Sequence, residues 1–206
     1  TVTYEGAMKY TVVGGVVGWC APSFRSYGYI YNSANYGPIR LAGTFVSYAY
    51  IGGIAGGSSK TILDNTLSAA PITGANETFI VGAVAGNTVT QYDTLRHCYW
   101  TSDVGYDNVT GKGTPRIEES HSTTLDEEGL AALNTRAQEK KWDAWTMLHL
   151  NGGKLNNIPQ ANAVTTGRYF KDPVKFGVTF RYWCTDSACI NRYDPKKTTG
   201  NVTHLY

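Results

Sequence analysis

A short glycine-rich unit, which occurs three times in the first half of the chain, decides the fold. It reads Gly14-Gly15-Val16-Val17-Gly18, then Gly52-Gly53-Ile54-Ala55-Gly56, then Gly82-Ala83-Val84-Ala85-Gly86, with starts 38 and then 30 residues apart. Glycine permits the positive φ of a corner and the close approach of stacked backbones, while alternate Val and Ile side chains point inward from a strand. The unit therefore predicts a β-repeat in which each turn of chain packs on the next.

A second element follows each glycine unit. Tyr31-Asn32-Ser33 leads to Pro38-Ile39, and Asp64-Asn65-Thr66 leads to Pro71-Ile72, with an offset of 33 at every matched position. In the third copy Leu95-Arg96-His97-Cys98-Tyr99-Trp100 takes this place, and His97 replaces the asparagine. Asparagine tolerates left-handed backbone and forms amide ladders when it recurs in successive coils. We expect Asn32 and Asn65 to be structural corner residues.

These elements carry a family resemblance. GGVVG, GGIAG and GAVAG, each followed by YNS, DNT or HCYW, resemble the GLUG-type repeats of secreted and surface proteins. Such arrays are often closed by a CYW-like element, a short helix ending near Leu-Asn, a Trp, and an Asn-Gly-Gly stretch before Pro. The chain has Cys98-Tyr99-Trp100, Leu133-Asn134, Trp142 or Trp145, and Asn151-Gly152-Gly153 before Pro159. The resemblance covers about residues 10 to 160. It implies a β-solenoid-like scaffold with surface, adhesive or assembly roles, and it brings no catalytic residue.

The second half of the chain changes pattern. The polar stretch from Thr101 to Ser122 predicts a loop. Thr124-Leu125-Asp126-Glu127 is a capping box, which predicts a helix that ends before Lys140. The apolar face of that helix consists of Leu130, Leu133 and Ala137. Further on, alternating apolar residues predict a half-buried strand, namely Val174, Phe176, Val178 and Phe180.

Together these patterns predict a mainly β fold in three parts. Residues 1–105 form a short β-solenoid-like repeat array, and residues 106–160 form a loop and a helix that caps its open end. Residues 161–206 form a small β-rich C-terminal segment.

Composition limits the partners. The 206 residues carry a formal net charge of +2, and no Lys/Arg cluster exceeds a pair, which argues against nucleic-acid binding. No run of 18 apolar residues is present, so we expect no membrane span. The chain starts at Thr1 without a signal-like segment, and we interpret it as a processed chain or a fragment.

Cysteines and glycosylation acceptors indicate a secreted, extracellular or cell-surface protein. The four cysteines lack zinc-type spacing, and Cys184 and Cys189 flank a short loop that a disulfide would close. This pairing leaves Cys20 to bond Cys98, although four cysteines allow three connectivities. Candidate N-glycosylation sites are Asn76, Asn108 and Asn201, each in an Asn-x-Thr triplet.

The sequence offers little catalytic chemistry. No nucleophile elbow, phosphate loop or dinucleotide fingerprint is present, and no pair of its four histidines has metal-ligand spacing. Polysaccharide-cleaving enzymes need two carboxylates at a fixed separation. Asp93, Asp103 and Asp107 lie in or beside a polar loop without regular spacing, so we expect them to be solvated or capping acids. The same acids with Asn108 lack the ligand pattern of a calcium loop. We expect no enzyme activity, no metal and no cofactor.

The tyrosines suggest how the protein makes contacts. Tyr27, Tyr29 and Tyr31 alternate, as do Tyr48 and Tyr50, so each set shares one face of a strand. They form either an aromatic stack within the repeat, the interpretation that we favour, or an exposed contact face for a subunit or a sugar. The sequence thus predicts a non-catalytic structural or adhesive protein that assembles into a homo-oligomer, filament or surface layer. The alternatives are a glycan-binding module that uses the tyrosines and, less favoured, a polysaccharide-cleaving solenoid.

Overall fold

The structure is a computed structural model that describes residues 2–4, 11–23, 25–42, 49–155, 158–159, 162–167, 170, 172–198 and 201–206. Contacts divide the chain into two units, Thr1–Thr124 and Leu125–Tyr206. The fold is mainly β, with stacked parallel strands and a short helix, which confirms the predicted class. No helix in the described part of the chain is long and apolar enough to cross a membrane.

The first unit is built from three successive coils of four strands each and a partial fourth coil. Coil 1 contains β1 Val2–Tyr4, β2 Thr11–Gly14, β3 Val17–Cys20 and β4 Gly28–Asn35. Coil 2 contains β5 Ile39–Leu41, β6 Ala49–Gly52, β7 Ala55–Ser58 and β8 Thr61–Ser68. Coil 3 contains β9 Ile72–Thr73, β10 Phe79–Gly82, β11 Ala85–Thr88 and β12 Thr94–Trp100, and a 3₁₀ turn follows at Ser102–Val104. The partial coil 4 contains β13 Thr110–Lys112, β14 Arg116–Glu118 and β15 His121–Ser122.

Equivalent strands of successive coils pair in parallel and form four sheets. Sheet A has the order β1-β5-β9, sheet B β2-β6-β10, sheet C β3-β7-β11-β13, and sheet D β4-β8-β12-β14, with β15 also paired to β12. The register aligns the glycine units, because Gly14 lies opposite Gly52 and Gly52 opposite Gly82. The core holds buried apolar residues of each coil, among them Ile39, Ile51, Leu63, Ile72, Val84 and Leu95.

The glycine corners between sheets B and C depend on close approach rather than on positive φ. A Cβ on Gly52 would lie 2.0 Å from the Ala55 carbonyl oxygen and 2.6 Å from the Gly86 nitrogen. Gly14 and Gly82 meet the same obstacle in their own coils. None of the eight glycines of the repeat unit has a positive φ, so the left-handed corner expected there is wrong. Glycine is needed because backbones of adjacent coils nearly touch.

Left-handed backbone lies in sheet D instead. Asn32, Asn65 and His97 occupy equivalent positions in coils 1 to 3, with φ of 48°, 56° and 47°, and Glu119 continues the column with 46°. The regular pairing between neighbouring strands skips Asn32–Asn65 and Asn65–His97. The column therefore bends every strand of sheet D at the same point.

The fourth coil replaces the loop that the sequence predicts before residue 123. Val109 occupies the corner position of Ile54 and Val84, and its carbonyl accepts from the Val84 and Ala85 amides. Gly111 lies where Gly56 and Gly86 lie, and a Cβ there would approach the Val81 carbonyl carbon to 2.7 Å. The stretch is polar because its strands are short and largely exposed, but its backbone extends the stack.

The second unit contains the helix and a small sheet. Its elements are α1 Glu127–Lys140, β16 Trp145–His149, β17 Lys154–Leu155, β18 Ile158–Pro159, β19 Asn162–Thr166 and β20 His204–Leu205. Leu130, Leu133 and Ala137 are buried, which confirms the predicted helix face. The N-cap is Asp126, whose carboxylate accepts from the Glu128 and Gly129 amides, so the helix begins two residues later than the capping box predicts. The capping of the repeat array by this helix stays a prediction.

A pair of hydrogen bonds ties the helix to the sheet. Asn134 donates to the Trp145 carbonyl across 3.0 Å and accepts from the Trp145 amide across 2.9 Å. Both residues were singled out by the family resemblance. Strand β16 pairs antiparallel with β19 and parallel with β20. Trp145, the first residue of β16, is fully buried.

The tail differs from the predicted strand. Lys175 pairs with Val178 around a turn at Phe176-Gly177, and Gly177 has a φ of 74°. Val174, Phe176 and Val178 are consequently exposed rather than half-buried. The alternation was misleading because a left-handed glycine reverses the chain in its middle. The predicted Cys184–Cys189 disulfide is confirmed, with Cα atoms 5.0 Å apart, and it closes the loop beside the Cys184–Arg192 bridge.

Candidate functional site

Three exposed tyrosines of coil 1 lie in strand β4 of sheet D or directly before it. Tyr29 is 63% exposed, and Tyr27 and Tyr31 are each about half exposed. They do not form the buried stack that we favoured from sequence, because they point away from the core that Ile30 contacts. Tyr50 is half-buried, and the Lys112 ammonium lies 5.8 Å from its ring centroid. Tyr48 lies outside the described residues. We call Tyr27, Tyr29 and Tyr31 the tyrosine face.

The tyrosine face continues into a charged ladder on the same sheet. Tyr31 lies opposite Asp64, which lies opposite Arg96, which lies opposite Glu118. The Arg96 guanidinium donates to the Glu118 carboxylate through Nε and lies 3.6 Å from the Asp64 carboxylate. Arg116 also donates to Glu118, across 2.6 Å. The outer surface of sheet D is therefore aromatic in coil 1 and ion-paired in coils 2 to 4.

Coil 1 also exposes apolar residues whose equivalents are buried. Val16 is 46% exposed, whereas Ile54 and Val84 at the same corner are fully buried. Trp19 is similarly exposed on sheet C, and its indole lies over Gly57 of the next coil, where a Cβ would come within 2.3 Å of the ring. Glycine at residue 57 leaves the room that the indole needs. The apolar surface of coil 1 is thus larger than that of the coils behind it.

The other two cysteines are free, which corrects the predicted Cys20–Cys98 bond. Cys20 lies in sheet C of coil 1, and Cys98 lies in sheet D of coil 3. Two coil steps separate them by about 10 Å, beyond the reach of a disulfide. Cys98 instead belongs to an inner column with Ser33, Thr66 and Ser120. Burial raises its pKa to about 12.

That inner column satisfies the backbone at the bend of sheet D. The Ser33 hydroxyl donates to the Tyr31 carbonyl across 2.7 Å, and the Ser120 hydroxyl donates to the Glu118 carbonyl across 3.0 Å. The Cys98 thiol lies 3.5 Å from the Arg96 carbonyl in the same relation. In coils 1, 3 and 4 a small donor at this position, Ser33, Cys98 or Ser120, compensates the carbonyl two residues earlier.

The three candidate acids have unlike settings. Asp93 is fully buried, and its carboxylate accepts from the Thr61 amide across 3.0 Å and from the Thr90 amide across 2.9 Å. It fixes the corner between sheets C and D, so the expectation that it is solvated is wrong. Asp103 and Asp107 are exposed. A carboxylate whose oxygens accept hydrogen bonds from backbone amides has a structural role.

The glycosylation candidates all lie at the surface. Asn76, Asn108 and Asn201 are exposed. At Asn76 the side-chain oxygen accepts from the Thr78 hydroxyl across 2.7 Å and from the Thr78 amide across 3.0 Å. Asn108 lies at the coil 4 corner, where its carbonyl accepts from Ala83. Modification of these residues stays a prediction.

The second unit contains a histidine pair that sequence spacing did not indicate. His149 Nε2 and His204 Nδ1 are 3.2 Å apart, and His204 Nε2 lies 3.4 Å from a Glu127 carboxylate oxygen. The His149 ring stacks on Tyr206 with centroids 4.3 Å apart. Burial, and then the charge of His204, lowers the His149 pKa, and a hydrogen bond to Asn162 and the Glu127 charge partly offset this shift. No local motif could reveal the pair, because the two residues are 55 positions apart.

Within the described ranges, no group of three or more His, Cys, Asp or Glu side chains is arranged to hold a metal ion. The contacts of the site residues are those of a scaffold: ladders, corner hydrogen bonds and exposed aromatic rings. No protein-family model matches the chain, and comparisons with curated proteins and with solved structures find no similar protein.

Proposed function

We propose that this chain is a non-catalytic structural or adhesive protein of the cell surface or extracellular space that self-assembles into a filament or layer. The observation that carries the proposal is the exposed apolar surface of coil 1. Val16 and Trp19 are each nearly half exposed, while the corner residues behind Val16 are fully buried. Apolar surface of this kind on an ordered scaffold is typical of a binding interface.

A second copy of the chain is the partner that fits this surface. A solenoid coil offers parallel strand edges that accept a further coil, as coils 2 and 3 accept their neighbours. A coil stacked on coil 1 would bury Val16 as Ile54 and Val84 are buried. Head-to-tail contacts between unlike surfaces propagate into filaments when they do not close into a ring. The resemblance to GLUG-type surface repeats favours the same role.

The disulfide and the glycosylation acceptors support an extracellular location. Cys184 and Cys189 are bonded, and disulfides persist chiefly in oxidising compartments. The asparagines of the three Asn-x-Thr triplets are exposed, where a transferase could reach them. Mass spectrometry of the protein from its native source tests this location, because unmodified asparagines and reduced Cys184 and Cys189 would contradict it.

Assembly is tested by analytical ultracentrifugation and electron microscopy of the purified full chain. We expect concentration-dependent oligomers that Val16→Lys abolishes, since a charge at this corner would be buried without a partner. The matched control is Val89→Lys, because Val89 is 53% exposed in coil 3. Monodisperse monomers of the unsubstituted chain at all concentrations would refute self-assembly, and equal effects of the two substitutions would refute the role of coil 1.

A glycan-binding role is the second candidate, favoured by the exposure of the tyrosine face. Alternate residues of a strand are about 7 Å apart, so Tyr27, Tyr29 and Tyr31 offer a row of rings on one side. Tyrosine supplies large contact area at low entropic cost. A glycan array with the unsubstituted chain, Tyr29→Ala and the control Tyr92→Ala tests it. Hits lost in Tyr29→Ala alone would support this role, and a blank array would remove it.

A further inference from the structure

A cleft in the second unit has the features of a small-molecule site. Its volume is about 350 Å³. It is lined by the end of β16, the turn at Asn151, the segment from Pro173 to Trp183, and Tyr206. Small-molecule sites are concave, mostly apolar, and contain a few converging polar groups, and this volume is within their usual range.

Aromatic rings form the apolar walls. His149 and Tyr206 are stacked with an interplanar angle of 4°. Phe180 and Trp183 pack with centroids 5.2 Å apart. Trp183 is almost fully buried, which fixes the ring that Phe180 contacts. A flat or branched apolar group would gain contact with two sets of rings without reorganising them.

Two basic side chains supply the charge of the cleft. Lys175 and Arg181 line it, and none of the described residues that line it is Asp or Glu. The Lys175 ammonium donates to the Asn151 carbonyl across 2.8 Å, which holds the side chain in place and leaves further donors. His149 contributes no charge near neutral pH, because burial and the charge of His204 lower its pKa. The walls of the cleft are therefore aromatic rings, and its charged side chains, Lys175 and Arg181, are positive.

We propose that this cleft binds a small carboxylate with an aromatic or branched apolar body, whose carboxylate pairs with Lys175 and Arg181. The apolar body lies against Phe180 and Tyr206. Charge complementarity selects an anion, because no Asp or Glu side chain among the described lining residues competes for the two cations. The proposal concerns only the second unit and holds whether or not the first unit assembles.

The test is calorimetry and NMR titration of the full chain with 3-phenylpropanoate, and with 3-phenylpropanamide as the uncharged analogue. We expect saturable binding of the acid, with shifts of the Trp183 indole and His149 ring resonances. The amide should bind at least about tenfold more weakly, since it cannot form the charged pair. Equal affinities, or no saturation by the acid, would overturn the proposal.

Three substitutions distinguish binding of the acid in the cleft from its general attraction to a basic surface. Lys175→Gln and Arg181→Gln should each lower the affinity for the acid about tenfold. Lys197→Gln removes an equal charge from an exposed side chain outside the cleft and should leave affinity unchanged. Measuring the midpoint of thermal unfolding of each variant checks that it is folded. Equal losses of affinity in all three variants would overturn the proposed role of Lys175 and Arg181. Tighter binding of glucuronate than of phenylpropanoate would overturn the proposal that the ligand has an apolar body.

Discussion

The side-chain amide of Asn65 donates to the side-chain oxygen of Asn32 across 2.9 Å and thereby links coil 2 to coil 1. Both residues have positive φ, and Asn65 is fully buried. Residues 32 and 65 must tolerate left-handed backbone and also offer an acceptor or a donor to the adjacent coil. Asparagine meets both demands, and His97 and Glu119 extend the same column with other side chains.

Substitution of Asn65 should separate these two demands. We expect Asn65→Ala to lower the free energy of unfolding by about 2 to 3 kcal/mol, because left-handed backbone and the lost hydrogen bond both contribute. Asn65→Gly should cost only about 1 kcal/mol, since glycine adopts this φ freely. Chemical denaturation measures both values. Equal losses would show that φ is not the reason for asparagine.

Glycine contacts make a second, internally controlled prediction. A Cβ at Gly86 would lie 2.4 Å from the Ile51 nitrogen and 2.5 Å from the Gly56 carbonyl oxygen. We expect Gly86→Ala to destabilise by about 3 kcal/mol or more, because the obstacle is backbone of the adjacent coil. Gly18 occupies the equivalent position of coil 1, but there the nearest atom is the Val12 carbonyl oxygen at 3.4 Å. Gly18→Ala should change stability by less than about 1 kcal/mol, and a larger loss would contradict the close-approach argument.

Thiol reactivity should distinguish Cys20 from Cys98. Cys98 is fully buried with a pKa raised to about 12, mainly by desolvation, so its thiolate is scarce at neutral pH. A thiol reagent should modify Cys20 in the native protein, and Cys98 only after denaturation. Cys98→Ser should fold normally, because Ser33 and Ser120 already occupy the same column. Detection of a Cys20–Cys98 peptide without reduction would contradict the stack of coils.

The histidine pair predicts that the second unit loses stability in mild acid. The pKa of His149 lies below its ordinary value of 6.5, so the unfolded chain binds more protons than the folded chain in the interval between the two values. Stability from this group is therefore full above about pH 6.5 and falls as pH decreases towards the folded pKa. Hydrogen exchange of the β16 amides at several pH values measures the effect.

His149→Gln should flatten that pH profile, whereas His121→Gln, at an exposed site in the first unit, should leave it unchanged. A profile that stays as steep in His149→Gln would contradict the assignment of the pH dependence to His149.

The regular spacing of the glycine and asparagine elements made the repeat predictable. The wrong pairing of Cys20 with Cys98 could not be avoided, because their separation depends on how the coils stack. The offset of 33 between Asn32 and Asn65 equals the length of one coil at that position, and the structure pairs the flanking residues accordingly. The fourth coil has no clear sequence signal, because its Gly111 and Glu119 follow their counterparts by only 25 and 22 residues and lack the apolar pattern. The sequence leaves Cys20 and Cys98 as a pair once Cys184 bonds Cys189, and only the stack of coils separates them by two steps.

The residue pattern was enough to predict the mainly β class, the three glycine-containing coils and the apolar face of the helix, and it favoured the Cys184–Cys189 bond. These features depend on local chemistry: glycine where backbones meet, apolar periodicity, and two cysteines across a short loop. Tertiary structure alone decided that the tyrosine face is exposed, that Asp93 is buried, and that His149 meets His204. Burial and long-range contact depend on which strands stack beside which, and no window of neighbouring residues contains that information.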